Sequence, residues 1–196
     1  MRLLTLSFLA ILLSSCATSP SFDHTGRFDF SIDTNKKIIL AVHDLRPYVQ
    51  DSNKSPDYTG LERNKYGIPS GVGSKSGNPL AEDFGSMIVR TMKFRNVSAV
   101  QQKIPFSWSF STVKKNLLGQ QKGAYVYYVK MLEWYTDTYA RTTLHYDLQL
   151  FVFDDQSNEV GNKQEKGFFD FDENEPGKEN LTKATSAILE SLFAEQ

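Results

Sequence analysis

Residues 143–152 alternate more cleanly than any other stretch of this chain. Leu144, Tyr146, Leu148, Leu150 and Val152 fall on one side, and Thr143, His145, Asp147 and Gln149 on the other. Side chains of a strand repeat every two residues, so the pattern predicts a strand with one face in a core and one in water. That division is typical of antiparallel sheets. Asp154-Asp155-Gln156-Ser157-Asn158 follows as a hairpin turn, and residues 159–169 return as a polar strand. Its Lys163 and Lys166 suit a sheet edge, where charge discourages further pairing. Upstream, the aromatic run at 124–134 reads as another strong strand. Such a sheet needs a cover for its apolar face.

The rest of the chain supplies one. Leu80, Phe84, Met87, Ile88 and Met92 keep helical spacing behind Asn78-Pro79, a start signal, and Asn96 is a plausible C-terminal cap. Leu181, Ala184, Ile188 and Leu192 define a terminal amphipathic helix, and a weaker helix is expected over 109–118. Residues 38–42, Ile-Ile-Leu-Ala-Val, predict a strand buried on both faces. Residues 27–32 alternate as a half-buried strand, and 97–100 form a short one. Residues 50–78 are rich in Gly, Pro, Ser and Asn and read as a long polar loop. The order implies an α/β (α+β) fold: a mixed sheet with helices packed on one face, in a single domain spanning 27–196.

The chain opens with Met1-Arg2, an apolar run from Leu3 to Leu13 interrupted by Thr5 and Ser7, and then Leu13-Ser14-Ser15-Cys16. The run is too short to span a bilayer, which takes roughly 20 apolar residues. The pattern resembles a bacterial lipoprotein signal ending in a lipobox. The resemblance implies removal of residues 1–15, a diacylglycerol on the Cys16 sulfur and a further acyl chain on its amine. Residues 16–26 then become a lipidated start and tether. Ala17 stands where an aspartate would favour inner-membrane retention, so the resemblance favours the outer membrane, with the domain in the periplasm. Cys16 is the single cysteine, so no internal disulfide can form. With a formal net charge of −1, the chain has no basic footprint for nucleic acid, nor a polybasic run for anionic lipid.

Several motifs tempt and fail. Gly71-Val72-Gly73-Ser74-Lys75-Ser76 lacks the glycine spacing and the Gly-Lys junction of a phosphate loop. Asp170, Asp172 and Asn174 alternate like calcium ligands, but Glu175 and Leu181 replace the required Gly and Glu. No His-Glu-x-x-His and no Gly-x-Ser-x-Gly is present. His145 with Asp147, and His43 with Asp44, are the two pairs an enzyme would use. Their plainer readings are a hydrated sheet face and, for Asp44 with Arg46, a local ion pair. Neither a metal nor a cofactor is expected, and no residue is assigned as catalytic.

The segments Asp44-Leu45-Arg46-Pro47-Tyr48-Val49, Gly60-Leu61-Glu62-Arg63, Tyr66-Gly67-Ile68-Pro69, residues 76–83 and residues 133–139 resemble an uncharacterised group of proteobacterial lipoproteins. More distantly, the element order is similar to YajG-like lipoproteins and to the N-terminal domain type of TolB. The group carries no assigned activity, and the more distant likeness is to envelope proteins without catalysis, so the expected role is a non-catalytic binding or accessory subunit in envelope assembly or maintenance. Its expected partners are a membrane, through the N-terminal lipid, and an envelope protein; the oligomeric state stays open. A glycan-binding module or a periplasmic hydrolase is the alternative. The candidate contact surface is Asp44, Arg46, Tyr48, Arg63, Tyr66, Trp134, Tyr135 and Tyr139, because Tyr, Trp and Arg are the side chains interfaces favour.

Overall fold

The computed structural model describes Ile32 and residues 35–139, 141–171 and 177–194. Cys16, the tether, the strand expected at 27–32 (Ile32 apart) and the acidic turn beyond Phe171 lie outside the described residues.

Among the described residues, a mixed seven-stranded sheet runs through the domain, flanked by four helices. Its axis is β5, Tyr125–Thr138, which pairs antiparallel along its length with β6, Thr142–Phe153. β6 in turn pairs antiparallel with β7, Glu159–Asp170. The opposite edge of β5 has two partners in succession. Tyr125–Met131 pair in parallel with β1, Ile38–Asp44, and Thr136–Thr138 pair in parallel with Gly60–Glu62 of β2, Tyr58–Arg63. Beyond β1 lies the short β4, Ala99–Gln101; beyond β2 lies β3, Pro69–Gly73. The sheet therefore branches along one edge of β5.

Helices α2, Leu80–Phe94, and α4, Gly177–Phe193, cover one face. The alternating set of β6 lies there: Leu144, Leu148, Leu150 and Val152 are buried in this core, with Tyr146 packed against it. Leu80, Phe84, Met87, Ile88 and Met92 of α2 and Leu181, Ala184, Ile188 and Leu192 of α4 complete it, each on its expected stripe. α2 starts after Pro79 rather than at it. It ends in a Schellman motif: Asn96 takes φ 62°, its N–H donates to Lys93 O at 3.0 Å, and the Val97 N–H to Met92 O at 2.9 Å.

The helices are not confined to that face. On the other, Ile39, Ala41, Val126, Tyr128, Phe151 and Phe153 form a smaller core closed by Val113 and Leu117 of α3, Phe110–Gln120. β1 thus feeds alternate residues into two cores, as a strand buried on both faces must. Ser109 caps α3 by accepting the Thr112 N–H at 3.2 Å.

Residues 50–78, expected to be a loop, contain the β2–β3 hairpin. Before it, α1, Pro47–Gln50, makes a single turn. Tertiary pairing to β5 overrides the weak local strand propensity here. Gly60 permits that pairing, because a Cβ there would collide with the Thr136 hydroxyl and carbonyl.

Candidate functional site

The branch in the sheet leaves a gap along β5 between Met131, opposite Asp44, and Thr136, opposite Gly60. A register irregularity falls there, between Met131 and Glu133. Backbone groups in such a gap need partners. The Leu45 N–H donates to Met131 O at 2.8 Å, and the Tyr48 hydroxyl to Trp134 O at 2.9 Å. Arg46 supplies the rest. Its Nε and Nη2 donate to the two oxygens of Asp44 at 2.8 and 2.7 Å. Nη1 donates to Tyr58 O at 2.5 Å and Trp134 O at 3.3 Å, and Nη2 also to Pro56 O at 2.9 Å. All five guanidinium donors are used. Burial opposes the charge on Arg46, but Asp44 outweighs it and holds the guanidinium above its usual range.

Asp44, Arg46 and Trp134 are therefore buried, at 3%, 0% and 0% exposure. They support the site and cannot touch a partner, which corrects their place in the expected contact surface. The irregularity between Met131 and Glu133 breaks the alternation of β5 and turns Trp134 onto the same core face as Tyr127, Val129 and Met131, with its ring edge-on to Phe84 at 4.6 Å. Tyr48 is half-buried, and desolvation raises its pKa to about 12.

The other four candidates stand at the far end of the sheet. Tyr135, His145 and Phe168 are cross-strand neighbours on β5, β6 and β7, on the face opposite Trp134. The His145 ring stacks on Tyr135 at 4.7 Å and 9°, and Phe168 lies 6.4 Å further on. On the other side, Tyr48 meets Tyr135 edge-on at 6.4 Å and Tyr58 at 5.5 Å. A row of aromatic rings thus crosses the sheet beyond the reach of the α3 core.

Next to this row is an open groove of about 670 Å³, lined by Arg63, Gly67, Asp137, Tyr139, Arg141, Thr143 and His145. Arg63 holds Asp137 in a bidentate pair, both bonds at 3.1 Å. Four large hydrophobic side chains in or next to this lining are 61 to 76% exposed: Tyr139 within it, Tyr66 and Ile68 on either side of Gly67, and Phe168, the register partner of His145. Tyr66 and Ile68 sit at the β2–β3 turn, and the Tyr139 ring lies 3.8 Å from where a Cβ on Gly67 would be. Ile68, Asp137 and Phe168 were not among the expected residues. An aromatic on the face of β7 that otherwise carries Asn162, Gln164 and Lys166 was the available signal for Phe168.

Neither catalytic pair assembles. His43 and Asp44 are adjacent on a strand and point to opposite faces. His43 Nδ1 lies 2.8 Å from the Tyr128 hydroxyl and Nε2 3.2 Å from Phe106 O, while Asp44 is committed to Arg46. Asp147 accepts from Gln164 at 2.7 Å and pairs with Lys166 at 3.1 Å, while His145 stacks on Tyr135. Among the described residues, no group of three His, Cys, Asp or Glu side chains is placed to hold a metal.

The fold defines a class: a single α+β domain with a curled mixed sheet. Among solved structures it is similar to a Xanthomonas campestris protein of the DUF330 family, at 10% identity and TM-score 0.53, over 88% of this chain and 92% of that one. Looser likenesses are to a PelC dodecamer from Paraburkholderia phytofirmans (11% identity, 87% and 95% covered, TM-score 0.43) and a Neisseria meningitidis lipoprotein (11% identity, 80% and 97% covered, TM-score 0.35). At these identities the likeness is one of fold. No family model and no curated protein matches the sequence.

Proposed function

We propose that this chain is a lipid-anchored protein of the bacterial outer membrane that binds an envelope protein through the far end of its sheet, without catalysis. The observation that carries this reading is a set of largely exposed side chains in or next to the lining of one groove: Tyr139 in the lining itself, Tyr66 and Ile68 on either side of its Gly67, and Phe168 paired across strands with its His145. Soluble domains rarely leave large apolar side chains clustered in water unless something docks there. The aromatic row beneath them is rigid, fixed by the Arg46 clamp and by cross-strand stacking, so docking costs little ordering. The lipobox ending at Cys16 supports the anchor, and Ala17 the outer membrane. No helix among the described residues is long and apolar enough to cross a membrane.

A glycan is the second reading. It is favoured by the Arg63–Asp137 pair, which offers donors and acceptors side by side next to the exposed Tyr139 ring.

The test combines fractionation with co-purification. The Cys16→Ser chain leaves the membrane pellet, and the wild-type chain brings down an envelope protein that a Tyr66→Ser/Tyr139→Ser variant does not. Retention of Cys16→Ser in the pellet contradicts the anchor. Co-purification indifferent to the tyrosines contradicts the surface.

A further inference from the structure

Among the described residues the sheet has three outermost strands, β4, β7 and β3. An outer edge is an open template for pairing, and proteins blunt it with charge, extreme brevity or a covering element. Two of the three are blunted. β4 is three residues long, and its Gln101 side chain donates to Glu82 O of α2 at 3.1 Å. β7 sets Glu159, Lys163, Glu165 and Lys166 along its length, and Lys163 donates to Ser191 O of α4 at 2.6 Å. β3, Pro-Ser-Gly-Val-Gly, carries no charge, and its Pro69, Ser70 and Gly71 are exposed. Pro69 blunts only its own position.

The hairpin turn fixes which backbone groups of β3 face outward. The Asn64 N–H donates to Ile68 O at 3.1 Å and the Gly67 N–H to Asn64 O at 2.8 Å, with Gly67 at φ 76°. The turn therefore closes on a hydrogen-bonded pair, 64 with 68. Bonded and non-bonded pairs alternate along an antiparallel ladder. The register sets Glu62 against Ser70, Leu61 against Gly71 and Gly60 against Val72. Ser70 and Val72 thus bond to β2, while the Gly71 N–H and C=O, and the Pro69 C=O, point away from it.

Side chains follow the same alternation. Pro69, Gly71 and Gly73 share the face of Arg63 and Asp137, which is the face of the groove. The two glycines leave that face bare at the edge. The aromatic row through Phe168, His145, Tyr135 and Tyr48 ends there on Tyr58, whose ring lies 3.8 Å from where a Cβ on Gly71 would be. Tyr66 and Ile68, both largely exposed, stand in the turn that leads into β3.

We infer that the envelope protein docks by strand addition: an extended segment of it pairs with the outer edge of β3, through the Gly71 N–H and the Pro69 and Gly71 carbonyls. Alternate side chains of that segment lie over the glycines against Tyr58 and continue the aromatic row, and one end of it meets Tyr66 and Ile68. In docking of this kind the main chain supplies affinity and the places for alternate side chains supply selectivity. A second copy of this chain is a poorer occupant. Antiparallel self-pairing about Gly71 sets Ile68 opposite Ser74 and Tyr66 opposite Ser76, apolar against polar. This inference rests on the partner-binding reading proposed above.

The test compares Gly71→Ala with Gly71→Pro in the full chain, in living cells, with a photoreactive benzoylphenylalanine in place of Ser70. A Cβ at 71 meets only the Tyr58 ring within 4 Å, in ordinary contact, so alanine keeps both the fold and the outward N–H. Proline deletes that N–H, which β2 does not use. The wild-type and alanine chains give an adduct with another envelope protein from position 70, and the proline chain loses it. An adduct that survives the proline overturns the inference, and so does one with the mass of two copies of this chain. Adducts from 66 and 139 with none from 70 overturn strand addition and leave the partner-binding reading standing; no adduct from any of the three overturns both. Amide hydrogen exchange, read residue by residue, decides the matter without a substitution at 71 if the proline chain does not fold. In the free wild-type chain Ser70 and Val72 exchange slowly and Gly71 fast, and in the complex captured through position 139 Gly71 slows to match its neighbours. A Gly71 amide already slow in the free chain, or still fast in that complex, overturns the inference.

Discussion

The Asp44 carboxylate and the Arg46 guanidinium form a two-bond ion pair, at 2.8 and 2.7 Å, in a place closed to solvent. The pair sits where β1 ends and β2 begins along β5. Arg46 bonds three backbone carbonyls from Pro56, Tyr58 and Trp134, so it joins three segments that share no ladder at that point.

Breaking the pair from either side is therefore costly. Asp44→Ala leaves a buried guanidinium without its counter-charge and is expected to lower the unfolding free energy by about 3–5 kcal/mol. Arg46→Lys does not rescue the site, because an ammonium has three donors for five acceptor positions. Urea denaturation of both variants checks this; a loss below about 1 kcal/mol for Asp44→Ala would show that the clamp is dispensable.

Gly60 tests the hairpin's attachment. In Gly60→Ala the new methyl group meets the Thr136 backbone, and β2 cannot keep its register with β5. Destabilisation above about 3 kcal/mol is expected. Hydrogen exchange reads it locally, as lost protection in 58–63 while β1 and β6 keep theirs.

His43 carries a pH dependence. Burial lowers its pKa from the ordinary 6.5, against an opposing hydrogen bond to Phe106. The neutral form is favoured in the folded state, so between the lowered value and 6.5 the unfolded chain binds more protons. Stability must then fall as pH drops below about 6.5. The denaturation midpoint of the wild-type chain should decline more steeply over that range than that of His43→Gln. Parallel curves would contradict the assignment.

The exposed aromatics should behave oppositely to the clamp. Tyr66→Ser and Tyr139→Ser change the unfolding free energy by no more than about 0.5 kcal/mol, because neither side chain is in a core. What they remove is partner binding. A large stability loss in either would mean that the ring is structural.

Much of this fold is legible in the sequence because the strongest patterns belong to the core. The alternation of β6 and the stripes of α2 and α4 each name the residues the structure buries. The β2–β3 hairpin is not legible. Its residues, including Gly60, Gly71 and Gly73, lack apolar alternation, and the pairing that makes them strands comes from β5, far along the chain. The site divides the same way. Residue type pointed to Arg63, Tyr66, Tyr135 and Tyr139, which gather at one end, but also to Asp44, Arg46 and Trp134. Composition cannot tell an arginine that greets a partner from one that closes a gap.

The most direct measurement is photo-crosslinking in living cells from position 139, compared with position 66 and with exposed Lys115 on α3. The account predicts one discrete protein adduct in the envelope fraction from 139 and from 66, and none from 115. No adduct at 139, or the same adducts from all three positions, would contradict it.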